Sequence, residues 1–494
     1  MDIGSLVRAS ARRFGDAHAL DCDGRTLTFA EFDAATDRIG SSLLANGLDP
    51  GDRVGVMMPN GIEGLVVYYA LAKAGLVRVP LNEKDTAETM TFKLEDADCR
   101  GLVHDGPVPT DAPALVHVGD AEWIDRTAWT GASAPCSELR HPEAPYRLGY
   151  TGGTTGVPKA VCLTMRGEHA ELANFLIDLM PDLRPGDTML HAAPIIHASG
   201  AFFLPTLVRG ARNRIMTKFD ASTWLEELER TQAAYTFLVP TMLALALDEP
   251  NVTDVDATAL RRLCWGASPI SPSVAAEAEE TFGQVLAQTY GQSEAPMTIS
   301  VLQPHEHDRV GSAGRPYTLV DVAVMDEDDN PLAAGEIGEV VTRGQHLMKE
   351  YWKRPELTAE TIRDGWLHTG DLGYVDDEGF LFLVDRKNDL IISGGSNVYP
   401  REVEDALTSH PAVREAAVVG IPDDTWGELI HAVVALRSAA EVDELLEHAR
   451  QSLPRYARPR SLEIWDDLPK SPAGKILRRT VRDVEVERRA APSA

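Results

Sequence analysis

Arg53-Val-Gly-Val-Met-Met58 is an apolar run, Pro59-Asn60-Gly61 interrupts it, Ile62 to Ala74 continues with helical character, and Val77 to Leu81 is a second apolar run. Strand, turn, helix and strand in that order make a βαβ unit, whose strands lie parallel because the helix carries the chain back to the starting edge. The theme returns further on. Ile215 to Phe219 predicts a strand, Asp220 an N-cap for a helix holding Trp224, Leu225 and Leu228, and Tyr235 to Val239 the next strand, closed by Pro240. Leu260 to Trp265, a helix around Val274 to Phe282, and Val285 to Tyr290 repeat it. Such alternation predicts α/β layers with parallel sheets and loops gathered at the carboxyl ends of the strands.

From about Gly311 the texture turns β-rich, with turn signals at Asp326-Glu-Asp-Asp-Asn-Pro and Gly335-Glu-Ile-Gly and a strand-like Gly379-Phe-Leu-Phe-Leu-Val. Beyond Asp385-Arg386-Lys387-Asn388 comes a compact stretch with a helix at Pro400 to Ser409, strands at Ala416 to Gly420 and Ala432 to Leu436, and a basic end. Between Arg450 and Arg489 there are eleven Lys or Arg against six Asp or Glu, a local +5 that suits a polyanionic ligand or a solvated tail equally. The fold class expected is therefore α/β. A large N-terminal body of layered α/β subdomains plus a small β subdomain is followed by a small mobile α+β C-terminal domain.

The chain has 494 residues, 44% hydrophobic and 25% charged, enough apolar surface for more than one core. Its mean hydropathy is −0.17. Lys plus Arg is 47 and Asp plus Glu 76, so the formal charge is −29, which repels nucleic acid and anionic lipid alike. Cys22, Cys99, Cys136, Cys162 and Cys264 are scattered, with no CxxC pair, so neither a disulfide framework nor a zinc site is expected. Met1 to Gly15 lacks an apolar signal core, and no run is long and apolar enough to span a bilayer. A cytoplasmic setting, without nucleic acid or integral membrane association, and a monomer or homodimer are expected.

The chemistry is written in one loop. Tyr146 to Tyr150 predicts a strand that runs into Thr151-Gly152-Gly153-Thr154-Thr155-Gly156-Val157-Pro158-Lys159. Three glycines let the backbone turn its N–H groups toward a phosphate, the threonines add hydroxyl donors, and Lys159 adds charge. The loop is a polyphosphate cradle by composition, although the Gly-Lys-Ser/Thr ending of a Walker loop is absent.

Here the sequence resembles the adenylate-forming superfamily, in its acyl-CoA synthetase branch of AMP-dependent ligases. The likeness extends through Thr289-Tyr290-Gly291-Gln292-Ser293-Glu294, Asp371 in Trp366-Leu-His-Thr-Gly-Asp, Arg386 in Asp-Arg-Lys-Asn, and Lys475 in Pro469-Lys-Ser-Pro-Ala-Gly-Lys. It covers essentially the whole chain. It implies an N-terminal adenylate-forming domain over 1–385, a hinge at 386–388 and a mobile domain over 389–494.

The activity implied is attack of a carboxylate on the α-phosphorus of ATP, with loss of pyrophosphate, then transfer of the acyl group to CoA. The loop from Thr151 to Lys159 would hold the phosphates and Glu294 would ligate Mg2+. Tyr290 and Gly291, with Gly266, Ala267, Ser268 and Ser293, would hold the adenosine. Asp371 would take the ribose hydroxyls, Arg386 would assist, and Lys475 would bridge the carboxylate and the α-phosphate. Gly394 and Gly395 would flank the pantetheine arm, and Asn388 would be the pivot. His197, Val239, Trp265 and Gln292 would line the acid pocket, with the Trp265 indole either shortening it or packing in the core. No Lys or Arg is evident in those wall segments, which favours a mono-carboxylic acid. Other acceptors stay open, namely a separate carrier protein or an amine, as do activation of a small anion such as nitrite and a catalytically silent nucleotide-binding protein.

Overall fold

The computed structural model describes residues 2–105, 116–117, 141–151, 158–423, 425–470 and 476–490. The chain divides into two compact units, Met1–Val322 with Thr342–Leu367, and Ala323–Val341 with His368–Ala494. The segment expected as a hinge, 386–388, lies inside the second unit.

Two sheets build the first unit. One runs Glu350–Tyr351, Lys159–Thr164, Pro145–Thr151, Val77–Pro80, Arg53–Met57, Cys99–His104 and Val116–His117. Its centre is the parallel βαβ unit read from the sequence, with Val54 opposite Arg78 and Gly55 opposite Val79. The helix between those strands, Ile62–Ala74, is buried on every side except at Glu63, as an all-apolar helix must be. Its Lys73, 1% exposed, survives there because Asp33 and Asp37 of the helix Phe29–Ala45 both pair with the ammonium, Asp37 at 2.7 Å.

The other sheet sets Arg212–Ile215, Thr188–His191, Tyr235–Leu238, Arg262–Gly266 and Leu286–Gln292 side by side, all parallel, and Ala295–Leu302 returns antiparallel. The expected helix caps hold, with Asp220 accepting from the Thr223 N–H. The strand expected at Ile215 to Phe219 lies instead at Arg212–Ile215. Its polar letters hid it. Arg214 is buried because Asp21 takes Nη1 at 2.7 Å and Glu227 takes Nε at 2.8 Å, and Asn213 is buried against His191.

In the second unit the sheet runs Ser396–Val398, Ile391–Ser393, Gly427–Leu436 and Val413–Asp423, with Ser461–Trp465 parallel to Gly427–Leu436. Arg478 is its electrostatic centre. Nη1 meets Asp385 at 2.7 Å and Asp389 at 2.9 Å, while Nη2 meets Glu404 at 2.5 Å. Ahead of it, Lys470 and Ile476 pair as an isolated antiparallel bridge, and the Leu477 N–H donates to the Pro469 carbonyl at 2.8 Å. Among the described residues, no helix is long and apolar enough to cross a membrane.

His191 and His346 are buried imidazoles whose loss of hydration pushes both down to about 4. His191 stays neutral between Ser199 at 3.0 Å and Asn213 at 2.9 Å. Because the ordinary value is 6.5, protons favour the unfolded chain below that pH. Chemical denaturation across pH should show stability that is full above 6.5 and falls steadily toward 4. The variant His191→Gln should flatten part of that slope.

Candidate active site

Four parallel strands deliver the site residues at one edge. His197 follows Thr188–His191, Val239 follows Tyr235–Leu238, Gly266 ends Arg262–Gly266, and Tyr290 and Gln292 end Leu286–Gln292. Parallel register keeps those carboxyl ends level, with Leu238 beside Trp265 and Gly266 beside Thr289. Space for side chains is tight here. A Cβ on Gly266 would lie 2.5 Å from the Thr289 carbonyl, and one on Gly291 would lie 2.3 Å from the Met297 nitrogen. Ala267 has φ +72°, a conformation costly for a residue with a Cβ, and Ser268 follows it.

Gln292 pairs with Ala295, so Ser293 and Glu294 form the two-residue tip of a hairpin. In the neighbouring sheet, Thr151 pairs with Lys159, so the stem of the glycine and threonine loop is also a hairpin. Gly152, Gly153, Thr154, Thr155, Gly156 and Lys475 lie outside the described residues. The stem and the tip are joined by a residue the sequence reading did not single out. Tyr351 donates its phenol O–H to Glu294 Oε1 at 2.6 Å, while Lys159 Nζ donates to the phenol oxygen at 2.7 Å and sits 3.9 Å from the ring centroid. Lys159 and Glu294 are themselves 3.7 Å apart. Tyr351 reaches this point because Glu350–Tyr351 adds to the sheet as an edge strand, with Tyr351 opposite Val161. Its only signal was an aromatic pair, Tyr351-Trp352, amid charged residues. Thr151 Oγ1 is buried and has no partner among the described residues.

His197 is open to solvent yet has protein on most sides, the situation of a cleft wall. Loss of hydration, and then the Lys93 ammonium, lower its pKa. Its Nε2 lies 3.3 Å from Asn82 Nδ2, which follows the strand Val77–Pro80 of the other sheet. Behind the His197 turn is a small cavity of about 20 Å³ lined by Ile195, Gly200, Arg78, Arg147, Glu168 and Glu171 among others. Arg78 and Arg147 are register partners on adjacent strands, and the Nε of each lacks a hydrogen-bond partner. Burial and Glu168 push Glu171 up to about 8. The wall segments therefore do have arginines near them, brought from strands whose inward charges were the available signal.

Trp265, expected in the pocket wall, is 3% exposed and packs in the cluster with Leu190, Trp224, Leu238 and Leu286. Strand alternation explains it, since Cys264 takes the opposite face beside Phe202 and Phe237. Burial pushes the Cys162 and Cys264 thiols up to about 12, which excludes either as a nucleophile at neutral pH.

In the second unit, Asp371 and Arg386 face each other in antiparallel register, which accounts for their spacing, and Arg386 Nε meets Asp371 Oδ1 at 2.7 Å. Asp371 is 7% exposed. Gly394 and Gly395 have φ +59° and +80°. The Cβ position of Gly394 is filled by Trp426, whereas nothing stands within 4 Å of that of Gly395.

The sequence pattern of the AMP-binding enzyme family matches residues 7–352, and that of the AMP-binding enzyme C-terminal domain matches residues 402–475. A feruloyl-CoA synthase of Amycolatopsis sp is 35% identical over 97% of this chain and 98% of its own length. A fatty acid–[acyl-carrier-protein] ligase of Streptomyces coeruleorubidus is 36% identical over 94% of this chain and 93% of its own. The structure of o-succinylbenzoate CoA synthetase from Bacillus subtilis with its acyl-adenylate intermediate superposes with a TM-score of 0.87 at 30% identity, covering 97% of this chain and 98% of that one.

Two outcomes follow from the geometry. Tyr351→Phe removes two bonds to charged groups, each worth about 1.5–3 kcal/mol, and urea denaturation should register a loss of that order. Trp265→Ala should cost about 3–5 kcal/mol as a core truncation, and unchanged stability would contradict its placement.

Proposed function

The chain belongs to the family of AMP-binding enzymes, and on that premise we propose that it is an AMP-forming acid:CoA ligase. It activates a carboxylic acid as the acyl-adenylate, releases pyrophosphate, and passes the acyl group to the thiol of CoA. The observation that carries the reading is the Lys159, Tyr351 and Glu294 assembly at the stem of a glycine and threonine loop. It places an ammonium and a carboxylate at fixed positions beside a phosphate cradle.

Carboxylate and triphosphate are both anions, so the chain must supply positive charge and in-line placement rather than a strong base. The loop from Thr151 to Lys159 holds the β- and γ-phosphates through backbone N–H groups and the lysine ammonium. Tyr290 lies along the adenine, with Gly266, Ala267, Ser268, Gly291 and Ser293 shaping its slot at the strand ends. Asp371 accepts the ribose hydroxyls, steadied by Arg386, and Lys475 carries the charge that meets the carboxylate and the α-phosphate. The acid lies against His197, Val239 and Gln292. His197, neutral at physiological pH, serves as a wall rather than as a base.

The donors fit magnesium. Glu294 keeps one oxygen beyond the Tyr351 bond, and the orphaned Thr151 Oγ1 adds a second hard oxygen ligand. A magnesium ion held by them would neutralise phosphate charge. For the second half-reaction we assign CoA as acceptor. The open side of Gly395 leaves room for the thin pantetheine arm, and Asn388 is the pivot of the C-terminal module.

The test is ATP-dependent pyrophosphate release over a panel of acids, namely aliphatic mono-acids, an aryl-propenoic acid and an acid with a second carboxylate, with and without CoA. Thioester formed only with ATP, acid and CoA together supports the reading. Pyrophosphate release without thioester moves the acceptor to a carrier protein or an amine. A preference for the second carboxylate brings Arg78 and Arg147 into the pocket. Lys475→Ala should lower the adenylation rate by about a hundredfold or more, equivalent to roughly 3 kcal/mol of transition-state charge stabilisation, while ATP affinity by calorimetry stays near wild type. Asp371→Ala should show the reverse pattern, with weakened ATP binding.

A further inference from the structure

The helix Arg478–Ala490 packs on one face of the second unit's sheet. Ala417, Val419, Val433 and Ala435 form that face, and Val481 of the helix sits on it. The other face, with Val418, Ala432 and Val434, belongs to a separate core. Strand alternation puts His431 on the same face as Val433, and helix periodicity puts Glu485 one turn past Val481. Both positions call for apolar side chains, since both residues are 0% exposed. They hold an imidazole and a carboxyl instead. On the next strand Ser461 is the register partner of His431, and Glu463, two residues on, shares its face.

His431 Nδ1 lies 2.7 Å from Ser461 Oγ. Donation of Nδ1–H to that hydroxyl leaves the lone pair on Nε2, the ring nitrogen beside Glu485. Nε2 and Glu485 Oε2 are each buried without a hydrogen-bond partner, although only 3.2 Å separates them. One ligand atom from each of His431, Glu463 and Glu485 lies within 4.8 Å of the other two. In a tetrahedral zinc site with bonds of about 2.0–2.1 Å, ligand atoms stand about 3.3–3.4 Å apart. The His431 to Glu485 separation already meets that spacing, and the half-exposed Glu463 side chain is the one with room to close.

We propose that His431, Glu463 and Glu485 form a zinc site that fastens the last helix to the sheet. One imidazole and two carboxylates suit Zn2+, with water in the fourth position. The surrounding cations define the competition. Arg488 Nη1 lies 2.8 Å from Glu463 Oε2 and 3.1 Å from Glu485 Oε1, and Arg489 Nη2 lies 3.0 Å from Ser461 Oγ and 3.3 Å from His431 Nδ1. Arg488, 55% exposed and 5.0 Å from the Trp465 ring centroid, holds the carboxylates that zinc would take.

The experiment is calorimetric titration of chelator-stripped full-length protein with zinc chloride in nucleotide-free buffer, with thermal denaturation alongside. One zinc per chain is expected, together with a rise in the melting temperature. His431→Ala and Glu485→Gln should each weaken binding by about tenfold or more, the usual scale for disturbing a metal's ligand shell. Arg488→Ala should strengthen it severalfold by removing the competitor, which a purely ionic cluster would not do. Glu463→Gln, at a half-exposed position that spares the core, must weaken it too. Zinc affinity that is undetectable in the wild type, or the same in wild type, His431→Ala, Glu485→Gln and Glu463→Gln, overturns the proposal. In the second case the ion sits elsewhere, as at Glu294.

Discussion

A phenol held between an ammonium and a carboxylate fixes the catalytic edge of the first unit. Lys159, Glu294 and Tyr351 come from three segments distant in sequence, and each would be a poor resident of a half-buried site alone. Lys159 and Glu294 balance one another, and the Tyr351 hydroxyl accepts from one and donates to the other, so no charge is left uncompensated. The phosphate loop leaves the sheet beside this group, and the Ser293-Glu294 turn is tied to the strand that carries Tyr290. The strand end proposed for adenine and the stem of the loop proposed for phosphate are thereby held in one frame.

What the sequence made legible was whatever depends on local pattern. The βαβ unit at Arg53, the Asp220 cap and the loop between Thr151 and Lys159 all rest on periodicity or turn chemistry within a few residues. What it hid depends on partners far along the chain. Arg212-Asn-Arg-Ile reads as polar, yet Asp21, Glu227 and His191 make it a buried strand. Trp265 could point either way until strand alternation put its indole in one core cluster and Cys264 in another. Tyr351 and the paired Arg78 and Arg147 were invisible as a site because nothing local connects them to Glu294 or His197. The spacing of Asp371 and Arg386, unexplained by motif alone, is the arithmetic of one hairpin.

The balance of −29 also has a structural side. Lys73 and Arg478 each sit where carboxylates outnumber them, two against Lys73 and three against Arg478. An acidic surplus makes such oversupplied pairings easy to arrange, and it leaves the surface repelling anions everywhere except where backbone N–H groups and a few cations converge. Electrostatic selectivity for a polyanionic small molecule then comes from contrast rather than from overall charge.

The bridge of Lys470 to Ile476 and the clamp on Arg478 divide the tail into parts of unequal tolerance to change in length. Lys470 and Ile476 are paired backbone points, so a residue added between them leaves that pairing in place at a small entropic cost. Between Ile476 and Arg478 there is no such slack. One extra residue would turn the helix by about 100° and carry the guanidinium away from Asp385, Asp389 and Glu404. Length variation among relatives of this chain should accordingly collect on the Lys475 side of Ile476, and the two-residue step from Ile476 to Arg478 should behave as a fixed ruler.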